Sequence, residues 1–150
     1  RLSSGTAEGK LPTKTLASVG RLCDGWMTHS VTPDRFTDAW AHIESAAQAT
    51  GKDPTQLDNC LCLNVCMHDD PDVALDESVA FLKAYYGIEF TRERTRAWTL
   101  HGPPSAIAAG LADLEGSAIK RVALRITSND QSGQLERLIE KVLPQLGPAA

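Results

Sequence analysis

The stretch Asp58–Asp70, DNCLCLNVCMHDD, decides the fold because two residue sets alternate along it with period two. Cys60, Cys62, Asn64 and Cys66 take one side; Leu61, Leu63, Val65 and Met67 take the other. In an extended chain successive side chains point to opposite faces, so the spacing predicts a strand over 59–67. Asp70 and Pro71 then open a helix that runs through DVALDESVAFLKAYY and stops at Gly87. A strand that hands over directly to a helix is half of a strand–helix–strand unit.

The same stretch contains a C-x-C-x3-C-x-H spacing, which raises the question of a metal. Cys60 and Cys66 lie about 20 Å apart on a straight strand, whereas zinc holds each sulfur at about 2.3 Å. Only Cys66 and His68 can approach one ion, and two ligands do not make a site. The thiols read instead as small, weakly polar side chains on a sheet, with no metal. Cys23, at a helix-to-strand junction, reads as a buried small residue. No Cys-His-Asn or Ser-His-Asp arrangement carries a local signature.

Outward from this strand, helix-like and strand-like runs alternate. KTLASVGRL (14–22) predicts a short helix and DGWMTHS (24–30) a strand after it. Thr32 as N-cap and Pro33 at the first helical position start a helix with Phe36, Trp40, Ile43 and Ala47 at helical spacing, stopped by Gly51. Residues 88–102 show no clean period and are expected to be irregular, with Arg92, Glu93, Arg94 and Arg96 on a solvated face. PPSAIAAGLADLEG (103–116) predicts a helix, with Ile107, Leu111 and Leu114 on one face, and KRVALRITS (120–128) a strand. A last helix from about Asp130 stacks Leu135, Leu138, Ile139, Val142 and Leu146 on one side, with Pro144 marking its exit. Strands alternating with helices imply parallel strands and crossover helices, so the fold class is α/β, a sheet or a barrel. Three strands, or four with RLSS at the start, are too few to close a barrel alone.

Bulk numbers narrow the class. With 150 residues, 42% hydrophobic and 23% charged, the chain is one globular domain with length enough for a core. Its net charge of -4, without a run of Lys or Arg, argues against nucleic acid as a partner. No apolar run approaches the roughly 18 residues that span a membrane, and RLSSGTAEGK has no apolar signal core. The expectation is a cytoplasmic protein with reduced thiols. The chain lacks an initiating Met and starts on what reads as the tail of a strand, which suggests a piece of a longer protein.

VGRLCDGWMTH with the helix and strand after it, HGPPSAIAAGLADLEGSAIKRVALRI, and the closing QLERLIEKVLPQL together resemble the bacterial luciferase-like flavin-dependent oxidoreductases. The resemblance covers nearly the whole chain and falls on the C-terminal half of that family. It implies the C-terminal part of a (β/α)8 barrel, with about three to four parallel strands, and FMN or a deazaflavin coenzyme. The family's first four strands, with most of its flavin contacts, have no counterpart in this sequence.

In such a barrel one strand face fills the interior and the other packs under the helices, and chemistry sits at the C-terminal strand ends. Leu61, Leu63 and Val65, with Val122, Leu124 and Ile126, are then the helix-side set. Cys60, Cys62, Asn64 and Cys66, with Ala123, Arg125 and Thr127, are the inner set.

The resemblance further implies a phosphate role for the turn Ser3, Ser4, Gly5 and Thr6, whose backbone N–H groups form an anion nest; the alternative is a plain turn. His29 and Ser30 fall where the family places substrate-side polar groups, although a solvent-facing loop histidine fits equally. Arg125, alternating with Val, Leu and Ile, needs a partner: an anionic substrate group or cofactor phosphate, or a structural ion pair. Asp24 and Trp26 read as structural, and His42 and His101 as surface or cap residues.

Two functions follow: part of a flavin-dependent oxidoreductase, inactive as this chain alone, or a non-catalytic half-barrel assembly module. In either case an uncovered inner face and two open sheet edges predict a homo-oligomer. The substrate is a small molecule, and the sequence does not name it.

Overall fold

The computed structural model describes residues 12–29 and 31–147. They divide into two compact units. One runs to Cys62 and adds Gly116–Ala123; the other comprises Leu63–Glu115 and the stretch from Leu124 onward. The expected RLSS strand and the Ser3–Thr6 turn lie outside the described residues, as does Ser30.

In the first unit, helix α1 (Thr13–Leu22) leads through Cys23 and Asp24 into strand β1 (Gly25–His29), and helix α2 (Pro33–Gln48) follows. Thr32 takes the cap position, but its side chain caps nothing; Pro33 at the first helical position, with φ already set, makes the start. Gly20 lets α1 and α2 touch, since a Cβ there would lie 2.2 Å from the Ile43 carbonyl oxygen. Strand β2 (Asp58–Met67) begins here, parallel to β1, with Met27 opposite Cys60 and His29 opposite Cys62. On the other face Trp26 lies opposite Asn59 and stacks on Phe36 of α2, ring centroids 4.9 Å apart. That is the packing role expected for Trp26. Asn59, although polar, is buried because it is satisfied: its Nδ2 donates to Ala118 O at 2.8 Å and its Oδ1 accepts from Lys120 N at 2.7 Å.

In the second unit, the remainder of β2 pairs on one edge with β3 (Thr99–Gly102), Asn64 opposite Thr99 and Cys66 opposite His101. On its other edge it meets strand β4 (Val122–Ile126), where Thr127 N donates to Val65 O at 2.9 Å. Helix α3 (Pro71–Tyr86) joins β2 to β3. Asp70 caps it by accepting from Asp72 N at 2.9 Å, and Gly87 ends it at φ 67°, a left-handed conformation that glycine adopts without strain.

Residues 88–102 are more regular than expected. They form helix α4 (Arg92–Arg96), capped by the Thr91 side chain, and then β3. Their anchor is apolar: Phe90, Ala97 and Trp98 pack on Leu82. Arg92 pairs with Asp72 and Asp76, while the Arg94 guanidinium lies over the Phe90 and Trp98 rings at 4.9 and 5.0 Å. So Arg92 and Arg94 are engaged rather than simply solvated.

Helix α5 (Pro104–Ala112) leads back to β4; Gly110 packs against Leu100, so closely that a Cβ would lie 2.6 Å from Leu100 Cδ2. Helix α6 (Gln131–Arg137) continues as a π-helical turn over Leu138–Val142. The expected single stripe splits there. Leu138 and Val142 are buried, whereas Leu135 and Ile139 stay about half exposed.

The topology places α3. The step from β2 to β3 and the step from β3 to β4 run in opposite directions across the sheet, so right-handed crossovers put α3 and α5 on opposite faces. Leu61, Leu63, Val65 and Met67 are all buried, as the helix-side set should be. In the second unit the opposite face, expected to look into a barrel, is covered by α3.

Candidate functional site

The polar residues of that covered face converge on α3. Cys66 and Thr127, at the strand ends, meet Glu77 and Ser78. The Cys66 thiol donates to Glu77 Oε2 at 3.6 Å, Ser128 Oγ donates to Glu77 Oε1, and the Ser78 and Thr127 hydroxyls lie 2.8 Å apart. Burial, and then the negative charge of Glu77, push the Cys66 thiol up to about 12. It is a protonated donor, not a nucleophile. Cys66 and Thr127 were placed on this face by the sequence, whereas Glu77 and Ser78 escaped it because they sit inside a helix with no motif around them.

Further along the same face, Arg125 meets Asn64 and the end of α3. Its Nε–H donates to Asn64 Oδ1 at 2.9 Å and an Nη1–H to Tyr86 Oη at 2.7 Å. The guanidinium lies 5.6 Å from the Tyr85 ring and 5.4 Å from the Tyr86 ring. Among the described residues no carboxylate pairs with it, so the structural ion pair weighed for Arg125 is not what holds it. An amide, a phenol and two ring faces do. Nothing in the spacing of VALRI could have shown this, since Tyr86 is 39 residues away in sequence.

At the far end of α3, His101 is half-buried on β3 rather than lying at the surface. Its Nδ1–H donates to Pro71 O at 3.0 Å, and burial lowers its pKa. Gln134 closes the end of β2: its amide accepts from Met67 N and donates to Met67 O, both at 2.8 Å.

In the first unit His29 ends β1 in an exposed position opposite Cys62. Met27, on the same face opposite Cys60, is 64% exposed, and Cys60 and Cys62 are partly exposed. All four cysteines are thiols, and Cys23 is exposed, not buried as expected. Among the described residues no three His, Cys, Asp or Glu side chains gather as a metal site, and no helix is long and apolar enough to cross a membrane.

The sequence pattern of the luciferase-like monooxygenases matches residues 11–142. The chain belongs to the luciferase-like monooxygenase family. Solved structures agree on the fold. An F420-dependent secondary alcohol dehydrogenase in complex with an F420–acetone adduct superposes with TM-score 0.74 at 15% identity, over 90% of this chain and 46% of that one. The coenzyme F420-dependent tetrahydromethanopterin reductase of Methanopyrus kandleri gives 0.68 at 16%, over 91% and 49%. A riboflavin lyase with modified FMN and riboflavin gives 0.60 at 13%, over 86% and 39%. No curated protein sequence matches the chain. The chain thus spans less than half of these luciferase-like relatives, and its parallel sheet with crossover helices corresponds to part of their barrel-like fold.

Proposed function

We propose that the chain is part of a flavin- or deazaflavin-dependent oxidoreductase of the monooxygenase type, supplying barrel wall and a share of the cofactor-phosphate and substrate pockets. The family match over residues 11–142 carries this reading. When bound, FMN or a deazaflavin supplies the redox chemistry, and the protein binds and orients it. The Ser3–Thr6 turn would hold the cofactor phosphate through backbone N–H groups. His29, Ser30 and Arg125 would face the substrate. Two features among the described residues suit such a role. The Met27 and Cys60 side of the first unit is open, with Met27 64% exposed and Cys60 and Cys62 partly exposed, as a flat ring requires. Arg125 is preset by Asn64 and Tyr86, as an anion ligand should be.

The open face also favours a second copy of the chain as partner, closing over Met27. Light scattering after size exclusion should then give at least twice the 16.2 kDa of one chain; a stable monomer would exclude this assembly. Fluorescence titration with FMN tests the cofactor role. The chain alone should bind weakly, and adding a polypeptide that supplies the first half of the barrel should tighten binding. The upstream reading frame separates the two functions: an in-frame first half supports the enzyme, and a start codon immediately before Arg1 supports the assembly module.

A further inference from the structure

We infer that Arg125, Tyr85 and Tyr86 form a binding site for a planar monocarboxylate, an acid whose flat body stacks on the tyrosines. This ligand class builds on the substrate-side role proposed for Arg125 and narrows it. A guanidinium has five N–H donors. Arg125 commits Nε–H to Asn64 and one Nη1–H to Tyr86, so three remain without a hydrogen-bond partner among the described residues. They are the second N–H of Nη1 and both on Nη2, and those two nitrogens form the edge that matches the two oxygens of a carboxylate. Bonds at Nε and Nη1 hold the plane of the group, which lowers the entropy lost when a ligand binds. Tyr86 Oη accepts from Arg125, so its own hydrogen is available to the same anion.

The walls select a flat body. Tyr85 is 64% exposed and Tyr86 39%, and their rings stand edge-on at 84° with centroids 4.9 Å apart. Phe81 supports Tyr85 from 6.1 Å in a stacked arrangement. Exposed, braced aromatic rings beside a guanidinium offer a ligand ring a surface to stack on. Charge selects among anions. Asn64, Tyr85, Tyr86 and Arg125 bring one positive charge between them, which balances a monocarboxylate and leaves a phosphate dianion half compensated.

The test is a tyrosine-fluorescence or NMR titration of the 150-residue chain with benzoate, acetate, inorganic phosphate and benzyl alcohol. Benzoate should bind saturably, at least about tenfold more tightly than the other three. Arg125→Gln should abolish this binding, and Tyr85→Ala, at an exposed position, should weaken it about three- to tenfold. Phosphate binding as tightly as benzoate would overturn the carboxylate while keeping Arg125 as an anion ligand. Absence of saturable binding by every anion would overturn both. Should Arg125→Gln fail to fold, the ranking of the four probes and the Tyr85→Ala variant still decide. Unchanged benzoate affinity in Tyr85→Ala sinks the site. The FMN titration reads the cofactor role separately.

Discussion

The Cys66 thiol donates to the Glu77 carboxylate across 3.6 Å, tying the end of β2 to α3 on the face that also carries Arg125. A buried thiol beside a carboxylate keeps its proton, and its pKa is pushed up to about 12. Maleimide at pH 8 should therefore label exposed Cys23 within minutes and leave Cys66 unmodified until denaturant is added. Labelling of Cys66 at the rate of Cys23 would show that α3 does not cover it. The raised pKa also has a pH consequence. An unfolded thiol titrates near about 8.5, so the stabilisation is intact below that pH and is lost as pH rises from there toward about 12. Urea melts at pH 8 and pH 10 should show the decline, and Cys66→Ser should flatten it.

Zinc should be absent. The spacing along β2 keeps Cys60 and Cys66 too far apart for one ion, and β1 offers only His29 beside Cys62. Elemental analysis of the purified chain should find well below one zinc per molecule. A stoichiometric metal that protects three thiols from labelling would overturn the strand assignment itself.

Gly20→Ala should lower stability by about 1–3 kcal/mol. The added Cβ would meet the Ile43 carbonyl oxygen at 2.2 Å, and backbone cannot yield as a side-chain tip can. Hydrogen exchange should show faster opening of α1 and α2. Alanine at Gly51, with nothing within 4 Å but φ at 80°, costs only backbone strain and should leave the α1–α2 contact undisturbed.

Gln134→Leu should cost about 1–3 kcal/mol, because it strips the acceptor from buried Met67 N and leaves Met67 O with only the longer bond from Arg137 Nη1–H at 3.4 Å. Gln134→Glu keeps an acceptor for Met67 N but places a carboxylate against Met67 O, so it should recover little. Denaturant midpoints of the two variants check this. Equal stability of Gln134→Leu and the parent would mean that water replaces the amide.

Much of the fold was legible because its signals are local. Alternation over 59–67 marks β2, Asp70 with Pro71 starts α3, and Gly87 stops it. Strand β3 was not legible. Its four residues carry no period, and their pairing is with β2, 35 residues away between Asn64 and Thr99. Helix α4 is one short turn and a fraction, whose Arg-rich sequence reads as solvated surface until Asp72, Asp76 and the rings of Phe90 and Trp98 come into reach.

The candidate site divides in the same way. By itself the sequence determined that Asn64 shares a face with Cys66 and Arg125 with Thr127, since alternation along an extended chain leaves no other option, and the family resemblance implied that the two pairs lie on one face. The sequence did not determine what lies over that face. Parity reports which side chains point together, whereas the cover depends on which edge the next strand joins. Because β3 returns to the edge of β2 away from β4, a right-handed crossover carries α3 over the polar side. Only the tertiary structure therefore brings Glu77 to Cys66 and Tyr86 to Arg125, pairing residues that neither spacing nor composition connects.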